Sequence, residues 1–182
     1  MIEIRWHGRG GQGSFTAARL LGLSAALFEN KYALAFPSFG PERRGAPVLG
    51  FTRIDNDKIT DRSDVIECDY VVVLDETLID SRTTHGLKKN GYMIINSNKV
   101  EKYDSLLKDI PHVCLDGTAL ALDILKRPIT NTAMLGALLA VSNIISLDSA
   151  VKGIEYEMPA SIAPKNIQLL ETSYKTMKER LQ

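Results

Sequence analysis

Apolar positions along the chain fall alternately into short runs and into longer stretches with a repeat of three to four. That alternation predicts strands and helices in turn, hence an α/β layered fold with a largely parallel sheet. Ile2 to Trp6 reads as a short strand, followed by a glycine-rich turn from Gly8 to Gly13. Ser14 to about Asn30 reads as a helix with Ser14 as its N-cap. Arg19 and Glu29 are its only charges, so more than one of its sides should be covered. Tyr32 to Phe36 is a second strand. Val48 to Ile54 and Lys58 to Thr60 suggest a hairpin closed by Asp55-Asn56-Asp57. Tyr70 to Leu74 is continuously apolar, as a central parallel strand with both faces buried requires.

Leu78 to Lys88 is expected to be helical, Gly91 to Asn96 a strand, Tyr103 to Lys108 a short helix and His112 to Leu115 a strand. The rest reads as helices: Thr118 to Leu125, Asn131 to Ile145, Leu147 to about Glu157 and Ala163 to Leu181. In the last of these Ile167, Leu170, Tyr174, Met177 and Leu181 form a stripe opposite Lys165, Glu171, Lys175 and Glu179. No charge occurs from Pro128 to Leu147, yet Thr130, Asn131, Thr132, Ser142, Asn143 and Ser146 make that stretch too polar to face lipid. It is expected to be buried in the core or against another subunit. The expected architecture is a single three-layer Rossmann-like domain over residues 1–182, its mostly parallel (mixed) sheet carrying an antiparallel hairpin, with a helical C-terminal third.

Composition narrows the chemistry. The 182 residues hold 22 basic and 22 acidic side chains, a formal net charge of zero. That removes the electrostatic basis for general nucleic-acid or anionic-membrane binding. A chain of this size buries about 70% of its unfolded surface and needs no disulfides. The two cysteines, Cys68 and Cys114, are far apart and form no CxxC. They read as small buried residues of a reducing compartment rather than as cluster or zinc ligands. The N-terminus has no apolar run of signal-peptide length, so a cytoplasmic location is expected.

Two segments carry candidate chemistry. Gly8-Arg9-Gly10-Gly11-Gln12-Gly13 satisfies G-x-G-x-x-G between a strand and a helix, where backbone N–H groups can approach an anion. Three readings fit it: a turn that only packs the helix tightly, a site for a phosphate-bearing ligand, or a dinucleotide site. The last is weakened because the second strand ends Phe36-Pro37-Ser38, without an acidic residue for the ribose. Ser14 stands where a phosphate-binding P-loop has Lys. The other segment, Phe36 to Pro47, holds three of the seven prolines and the adjacent Arg43 and Arg44, whose guanidinium forks suit phosphate or carboxylate. The candidate binding residues are therefore Gly8, Gly10, Gly11, Gln12, Gly13, Ser14, Arg43 and Arg44. His7 lies at the end of the first strand, where either a structural or a ligand role is open. No nucleophile elbow, H-E-x-x-H or carboxylate pair marks a self-sufficient active site.

The stretches Ile4 to Gly13, Ala35 to Pro47, Phe51 to Asp55 and Arg127 to Ala137 together resemble the gamma subunit of pyruvate and related 2-oxoacid:ferredoxin (flavodoxin) oxidoreductases, almost end to end. The resemblance implies a multi-subunit enzyme that decarboxylates a 2-oxoacid, passes the acyl group to coenzyme A and reduces ferredoxin. It implies alpha, beta (thiamine-binding) and delta (ferredoxin-like) partners that hold thiamine diphosphate, Mg2+ and [4Fe–4S] clusters. This chain would hold no cofactor alone, assign no residue to catalysis or to a metal, and act as an accessory, coenzyme A-proximal subunit. The competing expectation is a stand-alone Rossmann-like protein that binds a nucleotide or another phosphate ligand.

Overall fold

The computed structural model describes residues 1–38 and 45–182. Its six strands are β1 Ile2–Arg9, β2 Tyr32–Pro37, β3 Pro47–Asp55, β4 Cys68–Val73, β5 Leu87–Asn96 and β6 His112–Leu115. They form one sheet in the order β2-β3-β1-β4-β5-β6. β1, β4, β5 and β6 run parallel, and β3 lies antiparallel between β2 and β1. Because β3 opposes both neighbours, β2 points the same way as β1.

The helices are α1 Ser14–Phe28, α2 Ser81–Thr84, α3 Val100–Leu106, α4 Gly117–Leu125, α5 Asn131–Ser142, α6 Leu147–Glu157 and α7 Ala163–Arg180. The strand period of two sends Ile4 and Trp6 to one face of β1, and Arg5 and His7 to the other; all four are buried. The first face carries the larger core, in which Ile4, Trp6, Val72 and Ile94 meet α1 and α5, with α6 and α7 packed outside them. Trp6 Nε1 donates to Thr52 Oγ1, which donates to the Ala18 carbonyl, so the buried indole is satisfied. The second face has a smaller core of Phe36, Phe51, Val71, Met93 and Tyr103, closed by α3, Ile79 and Val65 of the segment before β4.

The charge-free stretch is resolved in favour of the core. Every residue of α5 from Asn131 to Ala140 is buried, enclosed by the sheet, α1 and α7.

Three expectations change. Lys58 to Thr60 is not a strand, because both edges of β3 are already hydrogen-bonded, one to β2 and one to β1. Asp55 instead accepts the Asn56 and Asp57 N–H groups, and Arg53 holds the Asp61 and Ser63 carbonyls, turning the chain away. The hairpin of the fold is β2–β3. Leu78 to Lys88 is not one helix but a 3-10 turn at Glu76–Leu78, the single turn α2, and the start of β5. Arg5 takes the carbonyls of Thr83 and His85, removing acceptors that a longer helix would use. Ser14 is not the N-cap of α1; Gly13 is, in a left-handed conformation with φ 81°.

Candidate functional site

The C-terminal ends of the parallel strands gather at one edge of the sheet, the edge at which open α/β folds bind ligands. Here β1 ends at Arg9 and the chain turns through Gly10 to Gly13 into α1. Gly13 has the positive φ that favours glycine, and a Cβ there would come 2.7 Å from Asn131 Nδ2. Gly8 needs glycine for a different reason: a Cβ would collide with Ser14 Oγ. The Ser14 hydroxyl is thus turned inward beneath the loop, enclosed and without a hydrogen-bond partner among the described residues.

The side chains of the loop are committed to one another. Gln12 Oε1 accepts the Arg9 N–H at 2.7 Å, and Gln12 Nε2 donates to Asp75 Oδ2 at 3.0 Å. Arg9 donates from Nε to the same Asp75 oxygen at 3.0 Å, and further to the Gly45 carbonyl and Thr77 Oγ1. Burial pushes the Asp75 carboxyl up, but the Thr77 hydroxyl and N–H, then Gln12 and Arg9, outweigh it and leave the group below its ordinary value. Gln12 and Arg9 therefore shape the loop rather than offer free groups to a ligand.

What the loop does offer is backbone. The first main-chain bond of α1 runs from the Ala17 N–H to the Gly13 carbonyl, so the N–H groups of Ser14, Phe15 and Thr16 have no acceptor within the helix. No side chain among the described residues caps this end, and no acidic residue lies in its first turn. The N-terminal half of the macrodipole is left uncompensated, which favours an anion at this point. A pocket of about 280 Å3 opens there, lined by Gly10, Gly11, Gly13, Thr16 and Val48.

The second candidate loop reaches the same place by a route the sequence did not reveal. β2 is not the neighbour of β1; β3 intervenes, and its first residue Pro47 pairs with Arg9. The Gly10 N–H donates to the Ala46 carbonyl at 2.9 Å, and the Gly45 N–H to the Gly10 carbonyl at 3.3 Å. The end of the Phe36–Pro47 segment is thereby bonded to the glycine turn. Arg43 and Arg44 lie outside the described residues.

Two further features were not expected. Asn131, at the start of α5, packs against Gly13, so the stretch from Arg127 to Ala137 meets the glycine loop in space. Beyond Asp75, a wider crevice of about 690 Å3 carries Glu76 and Asp116 as well as Asn96 and Thr130. Hydrogen bonds from Lys99 and Ser97 hold Glu76 at about 2. Lys99 thereby pairs with Glu76 at 2.6 Å, as Arg9 does with Asp75, so Asp116 is the acid of this crevice without an ion pair among the described residues.

His7 sits on the face of the sheet away from α1, buried, and desolvation followed by the nearby Arg5 charge pushes it down to about 4. Cys68 and Cys114 are buried in the smaller core, and desolvation pushes both thiols up to about 11, against the thiolate form a metal cluster needs. These cysteines do not fit as cluster ligands.

The family model for pyruvate ferredoxin/flavodoxin oxidoreductase matches residues 3–176. The pyruvate synthase subunit PorC of Methanocaldococcus jannaschii is 47% identical over 178 residues, 97% of each chain. The pyruvate/ketoisovalerate oxidoreductases common subunit gamma of Thermococcus kodakarensis is 46% identical over 96% of each chain. Among solved structures, the pyruvate oxidoreductase subunit PORC of Thermotoga maritima superposes with a TM-score of 0.84 at 38% identity, over 96% of this chain and 95% of that one.

Proposed function

The chain belongs to the pyruvate ferredoxin/flavodoxin oxidoreductase family as a gamma subunit, and from that premise we propose that it lines the coenzyme A path of the assembled enzyme. It is part of an enzyme complex with larger partner subunits, acting on pyruvate or a related 2-oxoacid. The stand-alone reading is not favoured, since the relatives match over nearly their whole length.

The observation that carries the proposal is the uncapped α1 terminus, with its pocket bonded to the end of the arginine-bearing loop. Coenzyme A carries a pyrophosphate and a ribose phosphate, and the N–H groups of Ser14 to Thr16 suit one such anion. Arg43 and Arg44 are proposed to hold another. Gly8, Gly10, Gly11 and Gly13 serve by letting the backbone approach, while Gln12 and the Ser14 hydroxyl act by position. Thiamine diphosphate, Mg2+ and [4Fe–4S] clusters are assigned to alpha, beta and delta partners, bond-making to none of this chain's residues, and the complex to the cytoplasm. No helix among the described residues is long and apolar enough to cross a membrane.

The test is the Arg43→Ala, Arg44→Ala double variant in the reconstituted complex. Each lost charge-assisted contact costs about 1.5–3 kcal/mol, so the coenzyme A KM should rise at least about tenfold with assembly intact. An unchanged KM in an intact complex eliminates the role of the arginines in coenzyme A binding; failed assembly would assign them to a subunit interface.

A further inference from the structure

On the face of the sheet opposite α1, β1 places Arg5 and His7 beside a pocket of about 270 Å3 between the start of β3 and α2. Both residues are more than nine-tenths buried. Arg5 donates to the carbonyls of Ile66, Thr83 and His85, and no carboxylate among the described residues pairs with it. Among the described residues its Nε has no hydrogen-bond partner, and neither has His7 Nε2. A guanidinium surrounded only by neutral carbonyls is a buried, uncompensated positive charge. A buried neutral imidazole without a partner is likewise rare, because it carries one donor and one acceptor to satisfy.

The other polar groups of the pocket are already used. Thr83 Oγ1 donates to the Leu78 carbonyl. Asp80 is neutralised by Arg82 at 2.6 Å, and it also accepts the Arg82 and Thr83 N–H groups. Among the described residues the buried charge of the wall is thus that of Arg5, and its buried unspent polar atoms are those of Arg5 and His7. The remaining lining is apolar, chiefly Pro47, Leu49 and Leu78.

We propose that this pocket binds a carboxylate on a short aliphatic stem. The carboxylate would accept from the His7 ring N–H and compensate Arg5, with the stem against Leu49 and Leu78. A cation is repelled by Arg5, an apolar molecule leaves the imidazole unbonded, and a nucleotide exceeds the volume. This site is separate from the α1 terminus and does not rest on the coenzyme A reading. The same chemistry has two sources: a free short-chain acid, or an Asp or Glu side chain of a partner subunit.

Ring-nitrogen NMR of the full chain labelled at its three histidines distinguishes them. Propionate titrated into the isolated chain should shift the His7 ring signals saturably, leaving His85 and His112 in place, and propylammonium of equal size should not. Leu49→Trp, which fills the pocket, should abolish the response. If propionate is silent but adding the partner subunits shifts His7 in the wild type and not in Leu49→Trp, the carboxylate comes from a partner. His7 signals unmoved in both arms, moved equally by propylammonium, or still responding in Leu49→Trp overturn the proposal.

Discussion

Asp75, two residues past the end of β4, accepts Arg9 Nε at 3.0 Å, so the arginine within the glycine turn is held by a carboxylate from the loop after the next parallel strand. The same oxygen accepts Gln12 Nε2, and the three side chains fix a turn whose glycines alone would leave it loose. Removing Asp75 orphans two donors at once. Asp75→Ala should lower unfolding stability by about 1–3 kcal/mol, the ion pair itself being partly solvent-screened. Urea denaturation checks this, and a variant as stable as wild type would show that the turn holds its shape without the carboxylate.

Acid should weaken the fold through His7. Its folded pKa of about 4 lies below the ordinary 6.5, so the unfolded chain binds the proton more readily. The neutral imidazole's contribution is fully present above pH 6.5, is lost progressively as pH falls toward 4, and changes no further below that. The loss amounts to about 3 kcal/mol from this residue. The carboxylate of Glu76, held at about 2, acts in a lower window, between its ordinary value and 2. From pH 7 to 4 the wild-type denaturant midpoint should fall more than that of His7→Phe, since the variant lacks the titrating group. Parallel curves would contradict the assignment.

Leu138 and Leu139 are fully buried in α5. Leu138→Ala should cost about 2–5 kcal/mol, and Leu138→Asp or Leu139→Asp should prevent folding, because an unpaired buried charge cannot be compensated there. Expression as a monodisperse folded chain with wild-type circular dichroism would refute the buried placement.

The thiols of Cys68 and Cys114 should resist alkylation at pH 8 in the native chain and react promptly once it is unfolded, as burial holds both at about 11. Iron–sulfur reconstitution of the isolated chain should give no visible cluster absorbance. Fast native labelling, or such absorbance, would contradict the buried, protonated state.

The parts of this fold legible in the sequence are those with one strong local signal. Tyr-Val-Val-Val-Leu announces a central strand, and the stripe from Ile167 to Met177 announces α7. The misread parts depend on long-range bonds. β3 inserts between β2 and β1, a choice made by pairing rather than by its own residues. The helix expected after Leu78 gives way because Arg5, some 80 positions earlier, claims its carbonyls. At the site, the glycine turn was legible from spacing, but the inward-facing Ser14 hydroxyl and the Asp75 clamp were not. Asn131 against Gly13 joins residues more than a hundred positions apart, at the starts of α5 and α1.

The claim that the α1 terminus receives a phosphate of coenzyme A is tested most directly by Thr16→Glu. Thr16 is exposed in the first turn of α1, where a carboxylate compensates the macrodipole and should leave stability unchanged or raise it by about 0.3–1 kcal/mol. The same carboxylate would occupy the field that an incoming phosphate needs. In the reconstituted enzyme, the coenzyme A KM should rise at least severalfold while the 2-oxoacid KM and the assembly stay as in wild type. A coenzyme A KM equal to wild type in that stable, assembled variant would contradict the account.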